Sequence, residues 1–298
     1  MSNKTLNKIS SFFVNLKSEP MSIILFICAS FSIFILFLML FFVAREGALA
    51  FSRVGSDLLF GMQWNLGKDL FGGFPLLYGS LMVTFGALII AIPIGISTAI
   101  FVSEVLPFQL RDPIKSVIEL LASIPSVIYG FMGLLIVVPF VSSTFGLPSG
   151  QTALTASLIL SIMTIPTIVS VSGEIISAVP KNYKEAALGL GATKWETIKS
   201  IVLPISKSGI LAGVMLGFGR AIGETIAVSM VAGNQAHLAS SYFEAVYTIP
   251  AFIATHMGEA AVGSLEFSAL FGLGLILLII TFVVNTLADV VVKRGVQQ

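Results

Sequence analysis

Two charged side chains in an apolar stretch are the first candidates for chemistry. Arg220 and Glu224 are the charged residues of segment 209–232. An arginine guanidinium is permanently charged, and its planar set of donors can bind a tetrahedral oxyanion through two hydrogen bonds at once. Glu224 can occupy these donors when no anion is present, and it would repel an anion that stayed. The spacing of four residues predicts that both side chains lie on one face of a helix.

Burial of this pair in a membrane would be costly, which favours a role in transport. A charge at the centre of a membrane helix costs about 2.5–3.5 kcal/mol on insertion scales. A helical pair four residues apart returns only about 0.2–0.5 kcal/mol, so the pair needs a partner, water or a passing ion. An interhelical salt bridge that fixes packing is the alternative interpretation. We include Thr225, the hydroxyl residue after Glu224, in the expected path.

The composition indicates that an integral membrane protein positions these residues. Of the 298 residues, 56% are hydrophobic and only 10% are charged, whereas an ordinary soluble domain carries about 25% charged residues. This excludes a soluble enzyme and a disordered chain. The net charge of +1 gives no reason to expect nucleic acid as a partner. Cys28 is the single cysteine, which excludes a disulfide framework and a zinc cluster.

The hydropathy pattern predicts six membrane-spanning helices, because each needs about 20 apolar residues. The first is too long for the apolar part of a cleaved secretory signal and is expected to remain in the protein. The fold class is therefore all-α, a polytopic membrane protein with six transmembrane helices. The predicted spans are 21–44, 77–102, 114–141, 152–171, 209–232 and 267–292.

The positions of lysine and arginine predict the orientation, because cytoplasmic loops carry an excess of both. With a cytoplasmic N-terminus, the outer segments contain only Arg45, Arg53 and Lys68, and Arg220 lies within the membrane. Both termini are therefore expected in the cytoplasm. The residues expected on the inner side are Lys4, Lys8, Lys17, Arg111, Lys115, Lys181, Lys184, Lys194, Lys199, Lys207, Lys293 and Arg294.

The inner loop 180–204 is predicted to form a helix, a turn and a second helix. Pro180 suits a helix start, where its missing N–H costs nothing, and a short helix is expected over 181–188. Gly189 and Gly191 allow the positive φ angles of a sharp turn. Together these residues indicate a compact loop at the cytoplasmic surface.

The second helix of this loop is predicted to present apolar side chains to solvent. Thr193 and Glu196 have the spacing of a capping box that starts a helix. Trp195, Ile198 and Ile201 follow on that helix, at a surface that lipid does not cover. Such a surface suits docking of another protein by insertion into a groove.

The same loop resembles the EAA loop of ABC importer permeases. The matching residues occur at the family's spacing, with Gly191 after Glu185-Ala186-Ala187 and then Ile201-x-Leu203-Pro204. The resemblance implies a MetI-like permease core and a coupling helix that seats in a cleft of a separate ATPase subunit. An ordinary amphipathic loop that tethers two spans is the alternative interpretation. The expected coupling residues are Glu185, Ala186, Ala187, Gly191, Leu203 and Pro204.

A second resemblance involves the segment around Arg220. The run at 219–228, GRAIGETIAV, followed by Gly233-Asn234, resembles the PstC-type permeases of phosphate ABC importers. The related PstA-type permeases usually continue this segment with Ala-Pro, which is absent here. The resemblance extends over about residues 74–292 and includes IPSVIYG at 124–130. It implies that Arg220 and Glu224 take part in the passage of phosphate.

This resemblance implies an ATP-driven phosphate importer in which the chain forms half of the path. The implied partners are a PstA-like permease, a PstB-like ATPase dimer and an extracytoplasmic PstS-like phosphate-binding protein, in the cytoplasmic (inner) membrane of a bacterium. ATP and Mg²⁺ would be bound by the ATPase. No cofactor is expected in this chain, which lacks a GxxxxGK[ST] phosphate loop. Residues 1–75 are interpreted as an N-terminal tail, a first helix and an outer loop, and residues 76–298 as a five-helix core.

Three other functions stay open at this stage. A permease for sulfate or molybdate would share the EAA loop but would not need Arg220 and Glu224. An ion-driven secondary transporter or a channel would work without any ATPase. An intramembrane enzyme is disfavoured, because the sequence contains no HExxH, CxxC or GxSxG motif.

Overall fold

The computed structural model describes residues 20–296, apart from some side chains near its two ends. Six of its helices are long and apolar enough to cross a membrane, which confirms the predicted all-α membrane fold. Lys4, Lys8 and Lys17 of the orientation prediction lie outside the described residues, as do the side chains of Lys293 and Arg294.

The described chain forms thirteen α-helices and one small hairpin. One π turn, Phe101–Val105, extends the helix Phe74–Ile100. Two others, Gly133–Val137 and Ile198–Val202, each join two consecutive helices. The antiparallel strands β1 (Trp64–Asn65) and β2 (Leu70–Phe71) form the hairpin between the first two spans. The helices are α1 (Pro20–Val54), α2 (Asp57–Phe60), α3 (Phe74–Ile100), α4 (Phe108–Ser123), α5 (Ser126–Met132), α6 (Val138–Phe145), α7 (Ala153–Ser177), α8 (Lys181–Gly189), α9 (Lys194–Thr197), α10 (Leu203–Ile222), α11 (Ile226–Val231), α12 (Ile249–His256) and α13 (Leu265–Val296).

The prediction of one continuous third span over 114–141 was wrong. The helix breaks at Ile124, where the backbone is extended (ψ 128°), and the spanning segment is Ser126–Phe145. Pro125 is the physical cause, because its ring disfavours helical backbone in the preceding residue. The preceding helix α4 has one charged and one apolar face, and none of its described side chains is fully buried. Such a helix is typical of a membrane surface.

The predicted fifth span over 209–232 was also wrong at both ends. Its spanning segment starts at Lys194 and ends at Ile222, so the helix includes the second half of the inner loop. After Ile222 the chain leaves the helix for three residues and forms the short helix α11. Glu224 therefore lies in a connection between two helices.

A stripe of small residues on α10 lets this helix approach α7 closely, as the spacing of four residues indicates. A Cβ atom at Gly209 would clash with the side chain of Ile175, and one at Gly213 would lie 2.8 Å from Oγ of Ser172. At Gly217 the nearest atom would be Cγ1 of an isoleucine at 2.9 Å. The seam between α7 and α10 therefore depends on the absence of side chains at these positions.

Substitution of Gly209 by alanine is expected to destabilise the fold, because overpacking of a close contact costs about 1–3 kcal/mol. Gly219→Ala is the matched control, since Gly219 lies on the same helix and a Cβ there would meet nothing within 4 Å. Thermal unfolding in detergent should show a lower Tm for Gly209→Ala and an unchanged Tm for Gly219→Ala. Equal values for the two variants would contradict the close approach of α7 and α10.

The loop between α11 and α12 closes the first turn of α7. The N–H groups of Ala153 and Leu154 donate to the carbonyl oxygens of Glu244 and Tyr242 at 2.9 and 2.8 Å. The Glu244 carboxylate in turn accepts hydrogen bonds from Ser240, and it contacts His237 at 3.2 Å. The hydroxyl of Ser240, followed by His237, lowers the pKa of Glu244 below its ordinary value. The loop is thus held by its own polar side chains.

Candidate functional site

Two interruptions of helical structure lie side by side. The first separates α4 from α5 at Ile124 and Pro125, and the second separates α10 from α11 at 223–225. The helices that follow, α5 and α11, touch through their backbones: a Cβ atom at Gly130 would lie only 2.9 Å from Cα of Ala227. Interrupted helices leave backbone groups unpaired inside a membrane protein, and such groups commonly surround ion sites.

Arg220 is located where these interruptions meet. Its guanidinium donates to Oγ1 of Thr167 on α7 at 3.3 Å and to the carbonyl oxygen of Ala122 on α4 at 3.4 Å. The Ala122 carbonyl is available because α4 ends one residue later, at Ser123. Arg220 therefore links three helices, α4, α7 and α10.

The end of α4 provides the negative partner of Arg220. The last carbonyl groups of a helix carry about half a negative charge. The hydroxyl of Tyr129, on α5, donates to the neighbouring carbonyl of Leu121 at 2.9 Å and so holds the end of α4 in place. The two bonds of Arg220 are long, and a guanidinium has about five N–H donors. It can therefore bind an anion with the remaining donors, or exchange the Ala122 carbonyl for one.

The prediction that Arg220 and Glu224 stack on one helix face was wrong. The helix ends at Ile222, and the Glu224 carboxylate accepts a hydrogen bond from the N–H of Ala227 at 3.2 Å. No ion pair joins Arg220 to Glu224 among residues 20–296. Glu224 instead stabilises the N-terminus of α11, where backbone donors need an acceptor. It lies four residues from Arg220 without being its partner.

Thr225 precedes α11 directly. Its hydroxyl donates to the carbonyl oxygen of Gly223 at 3.3 Å, within the same connection. The side chain is half-buried. The structure therefore places Thr225 next to Glu224 in the interruption, where its hydroxyl shapes the turn.

A groove of about 730 Å³ opens beside Arg220. It runs between α10 and α13, and its polar lining comes from Arg220, Thr167, Ser208 and Asn285. Ser208 lies twelve positions before Arg220 on the continuous helix α10, which corresponds to about 18 Å along the axis. The remaining lining is apolar: Ala212, Met215, Leu216, Gly219 and Ala288. The groove is large enough for a small hydrated oxyanion and places a permanent positive charge against it.

The loop 180–204 has the predicted form of helix, turn and helix. The first helix, α8, starts directly after Pro180, and Gly191 has a φ of +90°. Gly189 is an ordinary residue of α8, so the expectation of a positive φ there was wrong. The N–H of Ala192 donates to the carbonyl oxygen of Ala187 at 3.1 Å and closes the turn.

The second half of the loop starts with the predicted capping box. The Thr193 hydroxyl accepts from the N–H of Glu196, and the Glu196 carboxylate accepts from the N–H of Thr193 at 2.7 Å. The helix continues through the π turn at Ile198–Val202 into α10, where Leu203 is half-buried and Pro204 is exposed. The loop and the fifth span are therefore one continuous helical element.

The loop presents large apolar side chains to solvent. Leu190 is 90% exposed and Trp195 is 63% exposed, and Tyr183 and Leu188 are exposed as well. Ile198 is buried and Ile201 is half-buried, so the expectation that these two face solvent was wrong: both pack inward on the helix that continues into α10. Of the motif residues, Glu185 and Ala186 are exposed and Ala187 is half-buried. An exposed apolar surface of this kind is typical of a site that docks another protein.

Sequence reasoning missed three residues around Arg220. Two of them bond Arg220 directly and are distant in sequence: Thr167 is 53 positions away and Ala122 is 98 positions away. The third, Tyr129, acts indirectly by holding the end of α4. The available signal was Pro125, together with Pro166 next to Thr167, because each proline disturbs a helix at the level of the site.

Comparison with known proteins places the chain in a transport family. Residues 91–296 match the family described as binding-protein-dependent transport system inner membrane component. The chain is 40% identical over 264 residues to the phosphate transport system permease protein PstC of Mesorhizobium japonicum, which covers 82% of this chain and 80% of that protein. It is 34% identical over 287 residues to the probable phosphate transport system permease protein PstC of Methanocaldococcus jannaschii, with coverage of 89% and 91%.

Solved structures of ABC transporters have the same fold. A chain of a bacterial alginate ABC transporter superposes with a TM-score of 0.64 at 18% identity, covering 94% of this chain and 97% of that one. A chain of the MetNI methionine ABC transporter, in an inward-facing conformation, superposes with a TM-score of 0.57 at 16% identity, covering 73% and 93%. At this identity the likeness concerns the fold alone.

Proposed function

This chain belongs to the binding-protein-dependent inner-membrane transport family, and we propose that it is the permease subunit that forms half of the path of an ATP-driven phosphate importer. The observation that carries the proposal is Arg220. Its guanidinium stands at the junction of two interrupted helices, beside an open groove, with donors left for an anion. The identity of 34–40% to permeases named for phosphate transport supports phosphate as the solute.

We assign separate roles to the three path residues. Arg220 binds the oxyanion by exchanging its long bond to the Ala122 carbonyl for bonds to phosphate oxygens. Glu224 keeps α11 capped and places a negative charge four residues from Arg220, which limits how long an anion stays. Thr225 fixes the connection between α10 and α11 and offers a hydroxyl to the passing anion.

The power for transport comes from partner chains in this proposal. The exposed loop surface around Leu190 and Trp195 docks into a separate ATPase dimer, which binds ATP and Mg²⁺, through Glu185, Ala186, Ala187, Gly191, Leu203 and Pro204. A second permease subunit completes the path, and a phosphate-binding protein delivers the anion on the outer side. This chain itself is a non-catalytic membrane subunit.

The proposed location is the cytoplasmic membrane of a bacterium, with both termini in the cytoplasm. The orientation is supported by the lysines of the loop 180–204, because loops rich in lysine lie on the cytoplasmic side. The ATPase must reach the loop from that same side. Residues 1–75 then contribute a tail, the first helix and the outer hairpin, and residues 76–298 contribute the permease core.

Reconstitution tests this function directly. Proteoliposomes that contain the chain, its partner permease, the ATPase and loaded binding protein are expected to concentrate phosphate only when ATP is supplied. Sulfate and molybdate, offered in equal amounts, should not compete. Uptake of sulfate or molybdate in place of phosphate would assign another oxyanion, and accumulation of phosphate without the ATPase would identify a secondary transporter.

A further inference from the structure

One ion pair joins the inner loop to the second span. Nζ of Lys184, on α8, lies 2.5 Å from Oε1 of Glu104. The two side chains are 19% and 11% exposed, so solvent reaches them little. An ion pair exposed to water contributes almost nothing to stability, because water screens the two charges. This screening decreases when protein atoms cover the pair. The Glu104–Lys184 pair is therefore a firm contact between two elements 80 positions apart in sequence.

Glu104 is fixed rigidly to the membrane core. It belongs to the π turn Phe101–Val105, in which Val102 and Ser103 are buried. The hydroxyl of Ser103 donates to the carbonyl oxygen of Gly173, near the cytoplasmic end of α7, at 3.1 Å. A force applied to Glu104 is therefore transmitted to the second and fourth spans together.

The helix α8 has few other attachments to the core. None of its described side chains is fully buried. Within residues 20–296, Lys184 is the one residue of α8 whose side chain forms a hydrogen bond to a residue outside the loop 180–204. Val179, just before α8, is buried and holds the connection to α7. The helix that presents the EAA residues is thus anchored by its two chain ends and by the Glu104–Lys184 pair.

We propose that the Glu104–Lys184 pair transmits the ATPase-driven movement of α8 to the second span, so that both are positioning residues for transport. The inference rests on the proposed function for the source of the movement. A helix with no buried side chain can shift at the surface without moving the second span, unless a firm contact connects the two. The pair supplies that contact one residue before Glu185, at the start of the EAA sequence.

The test uses the complete transporter in proteoliposomes and measures phosphate taken up per ATP hydrolysed. Glu104→Gln and Lys184→Met are expected to lower this ratio at least about fivefold, the lower end of typical coupling between sites, while ATP hydrolysis continues. The double variant Glu104→Lys with Lys184→Glu should restore the ratio. Lys181→Met is the matched control, because Lys181 is an exposed lysine one turn earlier on the same helix, and it should leave the ratio unchanged.

A second measurement does not depend on phosphate. In a Cys28→Ser background, a Val105→Cys reporter next to Glu104 is labelled with a thiol reagent with and without ATP. Addition of ATP should change the labelling in the otherwise unaltered transporter and should have no effect in Glu104→Gln.

The outcomes separate the two proposals. An unchanged ratio and an ATP-dependent labelling change in both single variants would overturn the role of the pair. Failure of the charge-reversed variant to restore the ratio, with normal assembly, would overturn it too. If the unaltered transporter, with neither residue replaced, hydrolysed ATP without carrying phosphate, the proposed function would be refuted, and the labelling experiment would then decide about the pair alone.

Discussion

Replacement of Arg220 by glutamine is expected to lower the initial rate of phosphate uptake roughly 100-fold, because two charge-assisted hydrogen bonds of about 1.5 kcal/mol or more each are lost. Glutamine has no charge to attract an oxyanion and cannot present two parallel donors. Arg220→Lys keeps the charge without the planar fork and should retain only part of the rate. Uptake of radiolabelled phosphate into cells or proteoliposomes provides the measurement.

Lys207→Gln is the matched control for the charge. Lys207 lies on the same helix α10, is exposed, and makes no ion pair within the described part of the chain. Its replacement should leave the rate unchanged. If Arg220→Gln transported phosphate at the normal rate while the complex assembled normally, Arg220 would be a structural link between α4, α7 and α10, and the proposed anion path would be refuted.

Gly191→Val is expected to abolish productive docking of the ATPase on the inner loop. Gly191 has a φ of +90°, and a branched side chain in that region costs about 1–3 kcal/mol. The loop would leave the turn that orients α8 against α9. Co-purification of the ATPase with the permease pair, and ATP-driven uptake, should both fall sharply.

Gly189→Val separates backbone strain from bulk at the docking surface. Both glycines are surrounded by open space, since a Cβ atom at either would meet nothing within 4 Å. Gly189 lies in α8 with ordinary helical backbone, so valine there adds bulk without backbone strain, and valine is no poorer a helix former than glycine. Equal loss of ATPase binding in both variants would show that steric bulk, and not the turn at Gly191, controls docking.

The inner loop was the part of the structure that could be predicted best from sequence. Its signals are local: Pro180 before a helix, Gly191 at the turn, and Thr193 with Glu196 in a capping box. Each signal depends on neighbours within four residues, so no tertiary information is needed to interpret it. The glycine stripe on α10 was predictable for the same reason, because its period is set by the helix itself.

The candidate site was less predictable, because hydropathy measures how apolar a segment is and not whether its helix continues. The segments around Ile124 and Gly223 are apolar enough to be read as unbroken spans. The helix nevertheless ends at both: Pro125 accounts for the first break, and beyond the second the short helix α11 packs on α5. The partner of Arg220 could not be predicted without the first break, because the Ala122 carbonyl is free to accept a bond only where α4 ends.

The glycine seam between α7 and α10 also determines which parts of the permease can move. Where two backbones are already in contact, sliding by even a fraction of a helical turn would bring Ile175 or Ser172 against the main chain of α10. These two helices therefore travel as one rigid body during a transport cycle. Opening and closing must then be accommodated elsewhere around α10, and the groove of about 730 Å³ between α10 and α13 offers space for it.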